Sequence, residues 1–152
     1  MKSIFYKLFK IGKLHKSVIP QINQEGVLLV DEGISAWVNF KNFRAPGKRY
    51  SRRTNYTVAS IVLTKKHFLA FSGKRPIIGI AWNDGKIKSL NITKISESIF
   101  SVCYNANTFN EDWSGEVTVK FKSQITNKIL QKIKTKVEEN FNSGIIINEK
   151  TK

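Results

Sequence analysis

Residues 56–72, with the sequence YTVASIVLTKKHFLAFS, decide the fold class. The first nine residues are rich in β-branched and apolar side chains, which favour a strand, and the last six have the same character. Between them stands the pair Lys65-Lys66. The stretch therefore predicts two strands joined by a tight turn.

Short apolar runs with turn signals extend this pattern in both directions. Alternation is clearest where Ile34, Ala36, Val38 and Phe40 are separated by more polar residues, which is typical of a half-buried strand. Asp31-Glu32-Gly33 predicts a tight turn before it, residues 42–55 predict a loop rich in Arg, Pro and Gly, and Asn83-Asp84-Gly85 predicts a hairpin turn. Further strands are predicted over 26–30, 77–82, 87–92, 99–104 and 116–122.

Two segments have a helical pattern instead. Residues 123–141 carry an apolar stripe at a spacing of four, consisting of Ile125, Ile129, Ile133, Val137 and Phe141. Such a stripe can cap the open end of a small barrel. Residues 3–19 form a basic amphipathic pattern, and Pro20 is predicted to end that helix.

Three local patterns point to a known family. They are Glu25-Gly26 before an apolar run, an apolar strand followed by Thr64 and Lys65-Lys66, and Asn42-Phe43-Arg44-Ala45-Pro46-Gly47. With the order of strands and helix, they resemble the pleckstrin-homology superfold over residues 25–141, including its GRAM-like and bacterial PH-like members. The resemblance implies a mainly β (α+β) fold, an antiparallel β-barrel of about seven strands capped by a C-terminal helix.

The resemblance also bears on domains and ligands. It divides the chain into an N-terminal helix (1–20), a barrel domain (25–142) with its capping helix (123–141), and a tail (143–152). Phosphoinositide-binding members carry basic residues in the first hairpin loop, whereas the first predicted turn here, Asp31-Glu32-Gly33, is acidic. The superfold also hosts peptide and protein binders, so the fold fixes no ligand.

Charge is the strongest functional signal. The chain has 26 Lys and Arg against 11 Asp and Glu, a formal net charge of +15, which attracts membranes, nucleic acid and acidic proteins. Because Cys103 is the only cysteine, an intrachain disulfide is excluded, and the sequence indicates a cytoplasmic protein. Peripheral association with a membrane is compatible with that location.

The candidate site is the predicted loop after the second strand. It holds basic residues without an intervening acid, and aromatic side chains that can anchor at an interface. The candidate anion- or lipid-binding residues are Lys41, Arg44, Lys48, Arg49, Arg52, Arg53, Trp37 and Tyr50. The candidate membrane-insertion residues, on the apolar side of the N-terminal helix, are Ile4, Phe5, Leu8 and Ile11. A second set of lysines, from Lys120 to Lys136, is interpreted as an ordinary solvated surface.

The sequence contains no recognisable arrangement of catalytic residues. The two histidines, His15 and His67, lie in no nucleophile or metal motif, and the acidic residues Glu111, Asp112 and Glu116 lack the spacing of a calcium loop. We therefore expect a binding module without enzymatic activity, metal or cofactor. The favoured partner is anionic membrane phospholipid; nucleic acid and a protein partner, including a second copy of the chain, are the alternatives.

Overall fold

The computed structural model describes residues 14, 16–73, 75–141 and 147–149. Eight strands and two helices account for most of this part of the chain. The strands are β1 Val27–Ala45, β2 Lys48–Thr64, β3 His67–Ser72, β4 Arg75–Ala81, β5 Asn91–Ser96, β6 Ile99–Asn105, β7 Ser114–Lys122 and β8 Ile147–Glu149. The helices are α1 Ile19–Glu25 and α2 Thr126–Phe141, with 3₁₀ helices at Gly85–Ser89 and Ala106–Thr108.

All eight strands belong to one sheet, in the order β4-β3-β2-β1-β7-β6-β5-β8. Neighbouring strands are antiparallel except β5 and β8, which are parallel. The predicted β-rich fold with a C-terminal helix is confirmed. The sheet has eight strands and does not close, since its edge strands β4 and β8 do not pair with each other in the described part of the chain. Its ends still approach each other, since the Tyr104 hydroxyl of β6 donates to the Ile77 carbonyl of β4 at 3.3 Å.

Helix α2 packs its apolar stripe against one face of the sheet. Ile129, Ile133 and Val137 are fully buried, as the spacing of four predicts. They join a core that includes Phe100 and Phe121, whose rings stack with centroids 5.2 Å apart. Each large apolar side chain buried in this way stabilises the fold by about 1.5–3 kcal/mol.

Helix α1 covers part of the opposite, outer face of the sheet. Ile22 is buried there against Val62 and Phe71, and Leu14 and Val18 pack beside them. Pro20 lies in the first turn of α1, directly after the turn at 16–18. Proline suits this position because the first N–H groups of a helix need no partner within the helix. Most of the predicted helix over 3–19 lies outside the described residues.

The first predicted turn is a bulge within a strand. β1 runs unbroken through Asp31-Glu32-Gly33, with a register shift against β2 between Asp31 and Ile34 and a φ of 70° at Gly33. The Asp31 carboxylate accepts a hydrogen bond from the Ser123 hydroxyl at 2.5 Å. The acidic residues therefore tie β1 to the segment before α2, and the first hairpin of the chain turns elsewhere.

The segment after β4 also departs from the prediction. Asn83-Asp84-Gly85 leads into the 3₁₀ helix Gly85–Ser89, whose first turn is capped by the Asp84 carboxylate accepting from the Lys86 N–H at 2.9 Å. The predicted strand over 87–92 is therefore wrong in its first half. Ile87 and Leu90 are nevertheless buried, which explains the apolar pattern.

A buried polar network joins α1 to the turn between β2 and β3. The Thr64 hydroxyl donates to Glu25 Oε2 at 2.8 Å and accepts from the backbone N–H of His67 at 2.8 Å. His67 Nδ1 lies 2.8 Å from Glu25 Oε1 without an aligned hydrogen bond. Partial burial raises the pKa of the Glu25 carboxyl, but the Thr64 hydrogen bond and the attraction of His67 outweigh it, and the net pKa is lowered.

This lowered pKa predicts a loss of stability in acid. The network stabilises the folded protein fully above the ordinary pKa of about 4.5, and the stabilisation disappears as the pH falls through the lowered folded pKa. We expect E25Q to lower the free energy of unfolding by about 1 kcal/mol near neutral pH. Urea unfolding of both proteins at a series of pH values would show the difference shrinking in acid. A difference that stays constant down to pH ~3 would contradict this role of Glu25.

Candidate anion-binding surface

The predicted basic site lies on the hairpin of β1 and β2, in the segment 41–53, here called the arm. Its strands pair up to the two-residue turn at Pro46-Gly47, where Gly47 has a φ of 75°. The facing pairs of the arm are Lys41 with Arg52, Phe43 with Tyr50, Arg44 with Arg49 and Ala45 with Lys48. The prediction of a loop over 42–55 is therefore wrong.

The position of the arm explains its charge. β3 pairs with β2 only from Ser60 onward, so the earlier part of β2 has no strand partner on that side among the described residues. Exposed strand edges with apolar side chains tend to pair with other chains, and charged residues prevent this. Lys48, Arg49, Arg52 and Arg53 thus lie on the strand with the free edge, whereas Lys41 and Arg44 lie on β1, which pairs on both sides.

An aromatic cluster holds the arm against the body of the protein. Phe43 is buried, with its ring centroid 4.9 Å from Phe40, 5.8 Å from Tyr50 and 5.5 Å from Trp113. Aromatic pairs at these distances contribute about 0.5–1.5 kcal/mol each beyond their burial. The cluster packs the arm against β7 and the segment before it.

A glycine contact fixes which way the arm's side chains point. Asn42 has a φ of 51°, and its backbone lies directly against Gly115 of β7, which has a φ of 100°. A Cβ on Gly115 would lie 2.7 Å from both the Asn42 carbonyl carbon and the Phe43 Cα. The pairing of β1 with β7 shifts register at this point, between Lys41 and Arg44.

This irregularity places four basic residues on one face. Phe40 packs on the core, so Lys41 lies on the outer face, and Phe43 packs on the core again after Asn42. Arg44 therefore returns to the outer face, and directly opposed residues share a face. The resulting set, here called the basic face, consists of Lys41, Arg44, Arg49 and Arg52.

The other two basic residues of the arm are placed differently. The Arg53 guanidinium lies over the Tyr50 ring, 4.7 Å from its centroid, and Arg53 Nε donates to Asn55 Oδ1 at 3.1 Å. Lys48 is exposed opposite Ala45 beside the turn. Arg53 and Tyr50 thus support the arm, although the sequence groups them with the anion-binding residues.

The half-buried Trp37 and the exposed Tyr56 continue the outer face beyond the basic face. Trp37 lies directly opposite Tyr56 on one side and Lys120 of β7 on the other. The two rings meet edge to face with centroids 5.8 Å apart, and Tyr56 is 47% exposed. The sequence predicted Trp37 as a site residue but not Tyr56, and it placed Lys120 on a separate surface. Alternation within a strand does not show which residues of neighbouring strands lie opposite each other.

The basic face keeps its charge available. Among the described residues, no carboxylate forms an ion pair with any basic side chain of the arm. Glu116 is the residue of β7 facing Lys41, and Glu111 and Asp112 are exposed in the loop before β7. Glu116 therefore lies beside Lys41, while an anion can approach Arg44, Arg49 and Arg52 without displacing an ion-pair partner among the described residues.

The described part of the chain offers little support for a nucleophilic thiol, a metal site or a membrane-spanning helix. Burial raises the pKa of the Cys103 thiol, which keeps it protonated rather than nucleophilic. No group of three or more His, Cys, Asp or Glu side chains is arranged to hold a metal ion among these residues. None of the helices described has the length and apolar character needed to cross a bilayer. The predicted insertion residues Ile4, Phe5, Leu8 and Ile11 lie outside the described residues.

No protein-family model matches the chain, and a search of curated proteins finds no match either.

Proposed function

We propose that this protein is a non-catalytic module that docks onto an anionic membrane surface through the basic face. The feature that carries the proposal is the placement of Lys41, Arg44, Arg49 and Arg52 on one side of the hairpin, where no ion pair holds them among the described residues. A basic residue near an anionic leaflet contributes about 1 kcal/mol, so four contribute about 4 kcal/mol together. The neighbouring Trp37 and Tyr56 suit the interfacial region, where an apolar ring body meets water.

We further propose that the chain is a relative of the pleckstrin-homology superfold. The order of β1 to β4, β5 to β7 and then α2 supports this. The position of the first hairpin turn adds support, because it lies at Pro46-Gly47 among basic residues and not at the acidic Asp31-Glu32-Gly33. The basic residues thus belong to the first hairpin, as the resemblance implies for members that bind lipid headgroups.

The N-terminal segment supplies a second anchor in this proposal. Ile4, Phe5, Leu8 and Ile11 insert shallowly while the lysines of the same segment face the headgroups. A short amphipathic segment binds membranes weakly by itself, and linkage to the basic face raises its effective concentration at the membrane.

Sedimentation with lipid vesicles tests the proposal. We expect the full chain to sediment with vesicles of mixed phosphatidylcholine and phosphatidylserine, and not with phosphatidylcholine alone. Binding should weaken from low to physiological salt, because exposed charges are screened over about 8–10 Å. Equal binding to both vesicle types, or none to anionic vesicles at low salt, would contradict it.

Single-stranded nucleic acid is the second candidate, and the Trp37–Tyr56 pair favours it. On the outer face this pair is followed along the strands by Asn39 and Thr54 and then by the basic face. Stacking on an aromatic side chain contributes about 1–3 kcal/mol per base, and Lys and Arg bind the phosphates. If the protein binds oligothymidine tightly and does not bind anionic vesicles, the basic face and the Trp37–Tyr56 pair would be assigned to nucleic acid instead.

A further inference from the structure

A groove on another part of the surface lies between the first residues of β1 and α2. It has a volume of about 520 Å³ and is open to solvent. Leu29 and one face of α2 line it, and the residues on that face are Asn127, Lys128, Gln131, Lys132 and Thr135. The arm contributes no lining residue, so the groove is separate from the basic face.

The strand pattern leaves backbone available beside this groove. β1 pairs with β2 along its whole length, but with β7 only from Ser35 to Arg44. On that side the backbone of 27–30 therefore has no strand partner among the described residues. The chain leaves β7 there and enters α2, since the Ser123 hydroxyl that binds the Asp31 carboxylate also accepts from the Ile125 N–H at 3.2 Å.

The lining combines an apolar base with a positive rim. Leu29 packs partly on the core and supplies the apolar contact. Lys128 and Lys132 are one helical turn apart and no ion pair holds either of them within the described part of the chain. Of the lining residues, Asn127 donates a hydrogen bond to the Glu97 carboxylate at 2.7 Å. Glu97 also pairs with Lys94 at 3.0 Å.

We propose that this groove binds an extended, acidic peptide segment of a partner protein. The lining face of α2, from 127 to 135, is about 12 Å long, which matches about four residues of extended chain. Acidic side chains meet Lys128 and Lys132, an apolar side chain meets Leu29, and the peptide backbone pairs along 27–30. The chain's own residues 1–13 carry lysines and no acid, so charge disfavours them as the occupant.

Titration with defined peptides tests this inference independently of membrane docking. The probe is a fluorescent heptapeptide of alternating Glu and Val, compared with one of alternating Lys and Val. We expect K128E/K132E in the full chain to weaken binding of the acidic peptide at least tenfold. The matched variant K86E/K134E changes the net charge equally at exposed lysines outside the groove, and it should weaken binding less than threefold.

Backbone amide shifts locate the bound peptide. The acidic peptide is expected to shift the amides of 27–30 and 127–135, and both variants should still bind anionic vesicles. Equal losses in the two variants, shifts centred on the arm, equal affinity for the Lys–Val peptide, or no binding of either peptide would overturn the proposal. Self-association that shifts the groove amides would also overturn it, and would assign the groove to a second copy of the chain.

Discussion

The triple variant R44Q/R49Q/R52Q is expected to lose more than a hundredfold in affinity for anionic vesicles. Each of these arginines lies on the basic face, and each contributes about 1 kcal/mol near an anionic leaflet, so the loss is about 3 kcal/mol. The fold should survive, because all three side chains are exposed and none makes an ion pair among the described residues. Vesicle sedimentation at low salt measures the affinity, and urea unfolding measures the stability.

A variant with the same change in net charge separates the basic face from general attraction. K66Q/K86Q/K134Q removes three exposed lysines from the turn between β2 and β3, the 3₁₀ helix after β4 and α2. We expect it to reduce vesicle affinity less than fivefold. Equal losses in the two triple variants would show that net charge alone drives binding, and the basic face would have no special role.

Substitution of Gly115 is expected to cause the largest loss of stability, about 3–5 kcal/mol for G115A. Two costs add at this position. The φ of 100° is unfavourable for a residue with a side chain, and the new Cβ would clash with the backbone of Asn42 and Phe43. β7 would have to separate from β1 beside the buried Phe43 ring, which anchors the arm. Thermal and urea unfolding of the full chain measure the effect.

Gly47 provides the control for this prediction. It has a φ of 75°, yet nothing lies within 4 Å of the position its Cβ would occupy. G47A therefore has only the conformational cost, about 1–2 kcal/mol. If G115A and G47A were equally destabilising, the close approach of Gly115 to Asn42 would not be needed to hold the arm.

Local sequence patterns predicted the helix α2 and the hairpin over 56–72, because buried apolar residues dominate both segments. The stripe of Ile129, Ile133 and Val137 is buried as its spacing requires, and the hairpin over 56–72 forms around Lys65-Lys66. The stripe is buried at helical spacing, and the β2 half of the hairpin is buried continuously over 58–64, so local apolar content determines both elements. The predicted fold class follows from these elements.

The arm could not be predicted because its two strands violate the usual composition. The segment 42–55 contains Pro46, Gly47 and five of the six candidate basic residues, which is typical of a loop. It forms strands because Phe43 and Tyr50 pair across the hairpin and Trp113 closes over Phe43. The third of these residues is more than 60 positions away in sequence, so no local pattern contains the information.

The conformation of the acidic segment also depends on residues that are distant in the sequence. Asp31-Glu32-Gly33 has the residues of a tight turn, and Gly33 does adopt a positive φ. Whether the chain reverses or continues depends on the partner strand and on the Ser123 hydroxyl that binds the Asp31 carboxylate. The orientation of the basic face likewise depends on the contact between Asn42 and Gly115, which the sequence does not reveal.

Hydrogen–deuterium exchange of the full chain, with and without anionic vesicles, would show whether the arm itself contacts the membrane. The first half of β2 has an edge without a strand partner among the described residues, so its outward amides exchange rapidly in the free protein. We expect vesicles of phosphatidylcholine with phosphatidylserine to slow exchange about tenfold across 41–56 and to leave 85–89 and α2 unchanged. Protection confined to other segments, or bound protein whose arm exchanges as fast as in solution, would contradict it.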